Sequence, residues 1–268
     1  MEDKKWIIDK KIKSLKLKNP LLLVGLPGIG NVGKISVDFL IDELKAKEIY
    51  QIKSQYFPHS VFITDDSIIE LPSVSFHYVK AGKKVDRDIL LLSGDVQPME
   101  EQSSYIFCDK MLDLASEFNC KEIITIGGIG LSGEQKKPKV YGVTTDEATQ
   151  KIWKKASKHI HFRDNKAATI VGATGLLLGL GKHRHMTGIS LLCETIGHPY
   201  HIGLKEASSI LDILSKVLKL KVNLKRLDKE IRKEELARDE KTKETHENGL
   251  MKKLKRFSGE SGDTSYIG

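Results

Sequence analysis

Three groups of residues have types and spacings that could serve chemistry. The first lies in Leu21 to Lys34, LLLVGLPGIGNVGK, where Gly28, Gly30 and Gly33 satisfy G-x-G-x-x-G. Glycines at that spacing permit a tight turn and close approach of a pyrophosphate to a helix N-terminus. The dinucleotide fingerprint also needs an acidic residue about 20 positions on, at the end of the next strand, to hold a ribose hydroxyl. That strand, near Ile49 to Tyr56, runs out in Ser54-Gln55-Tyr56-Phe57-Pro58 without a carboxylate. Gly28 with Gly33-Lys34 also approaches the spacing of a phosphate-binding P-loop, but Ile35 stands where a hydroxyl must reach magnesium. Gly25, Gly28, Gly30 and Gly33 are therefore expected to form a structural glycine loop that turns the chain and lets a helix pack on a sheet.

The second group is His183, His185, Cys193, His198 and His201. Imidazole and thiolate are common zinc ligands, yet the spacing fits no common template, and Arg184 places a cation between two of the histidines. His59 and His77 lie in β-rich segments, where a partly buried, hydrogen-bonded imidazole is the expectation. The third group is Asp95 with Gln97, Glu100 and Glu101. Asp95 follows an apolar strand, and ligands of open α/β sheets sit beyond the carboxyl ends of strands. Ser93-Gly94-Asp95 is no nucleophile elbow, and no base, nucleophile and anion-holding cation meet in these loops. The residues thus point to a cleft without catalytic equipment: no catalytic, cofactor-binding or metal-binding residue is expected, no cofactor, and no enzyme.

The elements that must position these residues follow from periodicity. Leu21–Val24 reads as a buried strand, and Ile35, Phe39, Leu40 and Leu44 follow at helical spacing. Further strands are expected at Val61–Thr64, Ser73–Val79, Asp88–Leu92, Glu122–Ile126, Lys139–Val143, near Ala168–Val171 and at Gly188–Cys193. Helices are expected over about Glu100–Phe118, after a cap at Thr145 or Asp146, after Gly172–Gly175, and over about Leu204–Leu218. Strands alternating with helices, with glycines at the strand ends, predict an α/β fold: a mostly parallel sheet with helices on both faces. The loops at Gly28, Gly94, Gly128 and Gly172 should gather at one end of it.

Composition bounds the rest. A chain of 268 residues suits one main domain with an appendage. Its boundaries are read as an α/β domain over 1–220, a charged helical extension over 221–257 and a flexible tail over 258–268, polar and glycine-rich. Three widely spaced cysteines, Cys108, Cys120 and Cys193, indicate buried thiols in a reducing cytosol. No apolar run reaches the ~18 residues of a membrane span, so a cytoplasmic protein without a membrane partner is expected. Of the net charge of +8, Lys221 to Arg256 carries +5, as 13 Lys or Arg against 8 Asp or Glu. Mixed signs such as KRLDKEIRKEELARDEKTKE mark a solvated helical face, so no nucleic-acid partner is expected. Val222, Leu224, Leu227 and Ile231 form a short apolar stripe that then fails at Glu234 and Glu235. That pattern predicts a projecting C-terminal helix whose root is an oligomer interface.

The blocks GLPGIGNVGK, LSGDVQP, KEIITIGGIG, PKVYGVTTDE, GATGLLLG and LLCETIGHPYH, in this order from about Leu21 to Leu218, closely resemble archaeal members of the proteasome assembly chaperone family, in its chaperone-2-like branch. The resemblance implies an α/β fold related to the purine-nucleoside-phosphorylase architecture (phosphorylase/hydrolase-like), self-association as a homo-oligomer, and ATP-independent chaperone or adaptor work on the α-subunits of the 20S proteasome. It also implies docking through a C-terminal hydrophobic-Tyr-X ending. Here the corresponding residues are Tyr266, Ile267 and Gly268, with the tyrosine one place early. The alternative is a nucleotide- or nucleoside-binding enzyme that uses the glycine loops.

Overall fold

The structure, a computed structural model, describes residues 5–133, 135, 137–162 and 169–233. Among these, the strands are β1 (Trp6–Lys10), β2 (Leu21–Val24), β3 (Lys47–Ser54), β4 (Phe62–Ile63), β5 (Ile69–Glu70), β6 (Val74–Val79), β7 (Ile89–Gly94), β8 (Glu122–Leu131), β9 (Val140–Thr144), β10 (Ile160–His161) and β11 (Thr187–Ile196). The helices are α1 (Val32–Leu44), α2 (Glu101–Ser116), α3 (Glu147–Ala156), α4 (Ala173–His183) and α5 (Leu204–Val217). Nine strands form one sheet in the order β1-β3-β6-β7-β2-β8-β11-β9-β10. Its core, β7-β2-β8-β11, is parallel. The strands β1, β3 and β6 extend it antiparallel on one side, and β9 pairs antiparallel with β11 on the other.

Alternation along the central strands explains why they read as continuous apolar runs. Leu22, Val24, Leu90, Leu92 and Ile123 share one buried cluster with Phe107 and Met111 of α2 and Leu177 of α4. Leu21, Leu23, Ile89 and Leu91, which alternate with them, are equally buried and face the opposite layer. There α1 and α5 pack together, α1 over β7 and β8 and α5 over β11, while α2 and α4 pack together on the first face. A strand covered on both sides has no polar face to display, which is the signature of a sheet enclosed by two helical layers.

Three elements differ from the expectations. Trp6–Lys10, interrupted by charge, is an edge strand, because β1 needs only one apolar face. Residues 169–171 are not a strand; they form a loop ahead of α4, and Ala168 lies outside the described residues. β-branched residues supply propensity, but a strand forms only where the fold brings a pairing partner alongside, and residues 169–171 pair with no strand among the described residues. The Val61–Thr64 segment pairs only with its own return strand, as a hairpin apart from the main sheet.

The chain divides into a compact unit ending at Leu224 and a second unit from Lys225 onward. In the second, residues 225–233 are helical, and the remainder of the expected projecting helix, with the 258–268 tail, lies outside the described residues. No helix among the described residues is long and apolar enough to cross a membrane.

Candidate functional site

The parallel strands point their carboxyl ends at a cleft of about 970 Å³. Its walls come from the loop after β2 (Gly28, Ile29), the loop after β7 (Gln97), the end of β8 (Gly128) and the segment entering α4 (Val171, Gly172). Three of the four expected glycine loops meet there. Gly94 does not reach it; it is pressed instead against Ser73 and Val74 of the neighbouring strand.

The glycine loop is built by sterics. Leu26 and Pro27 lead out of β2, a single 3-10 turn spans Ile29–Asn31, and α1 begins at Val32. Gly30 has φ +62, and a Cβ there would sit 2.6 Å from Thr195 Oγ1. A Cβ on Gly25 would collide with the carbonyl of Gly33, and one on Gly33 with that of Ile126, so the helix lies directly on the sheet. Gly28 is different: its backbone is extended, and its nearest neighbour would be Gln97 Nε2 at 4.0 Å. Lys34, the residue a P-loop would aim at phosphate, pairs with Asp38 at 2.9 Å one turn along α1.

Gln97 holds the cleft walls together. Its side-chain amide donates to the Pro27 carbonyl, and its Oε1 accepts from the Ala173 N–H at 3.0 Å. It thus occupies the first N–H of α4. Asp95, in contrast, is turned away: its carboxylate accepts from the Ser73 N–H at 3.1 Å and the Ser73 hydroxyl at 3.2 Å. Among the described residues lining the cleft, Glu101 alone carries a charge at neutral pH. Its rim is apolar, with Met99 at 86% and Val171 at 88% exposed.

The histidine and cysteine group is dispersed, and the described residues hold no cluster of three metal-ligating side chains. His201 Nε2 lies 3.1 Å from Glu206 Oε1 in a nearly buried pair. Burial pushes the Cys193 thiol well above its ordinary pKa, aided by Glu206 and Glu194. It likewise pushes Cys108 up to about 12 and Cys120 up to about 11. Thiols held protonated in this way are poor nucleophiles and poor ligands. His77 is held below its usual range, chiefly by burial, with Glu48, Asp38 and a backbone hydrogen bond to Ser75 acting against the shift. His59 is exposed.

Of the proposed interface stripe, Leu227 is 1% exposed within a single copy, whereas Val222, Leu224 and Ile231 are partly exposed. Tyr266, Ile267 and Gly268 lie outside the described residues.

With this geometry in view, residues 22–241 match the model of the PAC2 family. The chain belongs to the PAC2 family. A crystal structure described as Pyrococcus furiosus PbaB, an archaeal proteasome activator, is 36% identical and superposes with a TM-score of 0.81 over 89% of this chain and 99% of that one. Pyrococcus furiosus PbaA, described as an archaeal homolog of proteasome-assembly chaperone, shares the fold with a TM-score of 0.70 at 21% identity, over 93% of this chain and 98% of that one. The uncharacterized protein MJ1210 of Methanocaldococcus jannaschii is 31% identical over 225 residues, 83% of each chain. The PAC2 match covers the α/β unit with its glycine loop. The sequence of this PAC2 chain places Gly28, Gly128 and Gly172 at the cleft and Gly94 wrongly with them, and it shows neither the Gln97 bridge nor the Thr195 hydroxyl behind Gly30, buried without a hydrogen-bond partner. Neither has a local signal, since both depend on which strands become neighbours.

Proposed function

We propose that this chain is a non-enzymatic, ATP-independent proteasome assembly chaperone or adaptor that binds the α-ring of the 20S proteasome as a cytoplasmic homo-oligomer. The observation that carries this reading is the likeness to PbaB, an archaeal proteasome activator, at 36% identity over nearly all of that chain. Docking is assigned to the segment carrying Tyr266, Ile267 and Gly268, where two large side chains follow a polar, glycine-containing leader. An aromatic anchor of this kind docks by hydrophobic burial, and several copies on one body raise the effective concentration.

The test is co-sedimentation with 20S proteasomes or free α-rings, comparing the full chain with one lacking Ser265 to Gly268. Retention by the full chain and loss on truncation are expected. Equal retention would move the docking site to the globular body, and no retention of either would remove the ring-binding reading. A second reading, a nucleoside- or nucleotide-binding enzyme, draws on the size of the cleft. A ligand at 100 times its Kd stabilises the fold by about 2.7 kcal/mol, so a thermal shift with ATP, ADP, NAD or nucleosides would favour that reading, and its absence the adaptor.

A further inference from the structure

Outside the cleft, at the β1 edge of the sheet, the chain exposes an apolar surface. The hairpin β4–β5 pairs Ile63 with Ile69 and Phe62 with Glu70. Its turn is closed by the Ser67 N–H to the Thr64 carbonyl at 2.9 Å, with Ser67 in the left-handed region at φ +61. That hydrogen bond closes a four-residue turn, Thr64 to Ser67, with a left-handed residue at its last position. Side chains two apart along a strand share a face, so Val61, Ile63, Ile69 and Leu71 form one stripe. Ile63 is 73% and Ile69 69% exposed. Val61 and Leu71 continue the stripe into a groove of about 580 Å³ whose other walls include Ile7 of β1, Phe57, Pro58 and Pro72. Contiguous exposed apolar surface of this kind marks an interaction site rather than ordinary surface.

Charge identifies the occupant. Residues 61–72 contain Asp65, Asp66 and Glu70 and no lysine or arginine, with the two aspartates at the tip of the turn. Among the described residues, the groove lining carries Lys5 and Lys53 and no carboxylate. The hairpin therefore presents apolar sides with an acidic tip, and the groove beside it presents an apolar floor with basic walls. Each is the complement of the other, and both stand on the same molecule, with Val61 and Leu71 at the base of the hairpin forming one wall of the groove. A self-complementary surface of this type closes around a two-fold axis. We propose that the β4–β5 hairpin and the groove beside it form a reciprocal dimer interface, the hairpin of each copy lying in the groove of the other, with Ile63 and Ile69 on the groove floor and Asp65 and Asp66 facing Lys5 and Lys53. An acidic tip disfavours an anionic membrane surface as the occupant. The inference rests on the self-association part of the proposed function and is independent of ring binding.

The experiment is sedimentation velocity of the full chain across a concentration series, without proteasome. Ile63→Asp with Ile69→Asp is expected to weaken self-association at least about a hundredfold, with far-UV circular dichroism and melting temperature unchanged, because both side chains already face water. Asp65→Lys with Asp66→Lys, and separately Lys5→Glu with Lys53→Glu, are each expected to weaken it about tenfold at low salt. The four changes together should recover most of that loss. A wild-type chain that stays monomeric, an unchanged mass in the isoleucine variant, or a four-fold variant no better than its parents overturns the proposal. Capture of a monomeric chain through the hairpin by lipid vesicles or by proteasomal rings overturns it as well. Ring binding is scored separately, so a chain that dimerises through the hairpin and ignores proteasomal rings upholds the inference and removes the ring-binding reading alone.

Discussion

Replacing Gly30 by alanine should destabilise this protein through two additive terms. Gly30 has φ +62 and ψ 7, a left-handed conformation that costs an L-residue about 1–2 kcal/mol. The new Cβ would also lie 2.6 Å from Thr195 Oγ1 and 3.3 Å from its Cγ2, inside a packed layer. Overpacking of that degree costs about 1–3 kcal/mol. The loop has little freedom to yield, because the Gly30 carbonyl accepts from the Gly203 N–H at 2.8 Å and so ties the loop to the start of α5. Together the terms come to roughly 2–5 kcal/mol, which for a chain of this size lowers Tm by roughly 4–20 °C. Thermal unfolding followed by circular dichroism measures the loss. Gly28→Ala is the control: its backbone is extended and its Cβ meets nothing closer than 4.0 Å, so a change within about 0.5 kcal/mol is expected. Thr195→Ala in the Gly30→Ala background should return the packing term and leave the backbone term. If Gly30→Ala melts within a degree or so of wild type, or Gly28→Ala costs as much, the account of the glycine loop is wrong.

Three further outcomes are expected. Gln97→Ala strands the Pro27 carbonyl and the Ala173 N–H, at about 1–3 kcal/mol for buried groups left unpaired; faster hydrogen exchange at Ala173 than at mid-α4 amides would report it, and unchanged exchange would show that the bridge is idle. His77 has its folded pKa lowered by burial, so below about pH 6.5 the unfolded state binds the proton that the folded state refuses. Stability should therefore fall as pH drops from about 7 to 5, and His77→Gln should flatten that slope in denaturant titrations; an equal slope in the variant would assign it to other groups. For the tail stripe, Leu224→Asp with Ile231→Asp should reduce the mass in light scattering, and an unchanged mass would remove the stripe from the interface.

The linear order of residues carried the layer architecture. Leu21–Val24 and Ile89–Leu92 are apolar at every position because each strand is covered on both faces, and that pattern survives in one dimension. The cap of α3 was equally legible: Asp146 stands just ahead of the helix, and its side chain accepts from the Thr149 N–H at 2.7 Å. The missing ribose carboxylate and magnesium hydroxyl are also local facts, legible in the order of residues alone. Strand order was not legible, since pairing depends on contacts between segments a hundred residues apart and leaves no periodicity in either. For the same reason β1, whose pattern is broken by Asp9 and Lys10, was passed over, and residues 169–171 were overvalued. The site itself was decided by the tertiary structure: Asp95 and Gln97 are two residues apart, but one is spent on Ser73 and the other spans the cleft from Pro27 to Ala173. A side chain's chemistry is written in the chain, whereas its partners are set by which distant backbone groups the fold brings within about 3 Å of it.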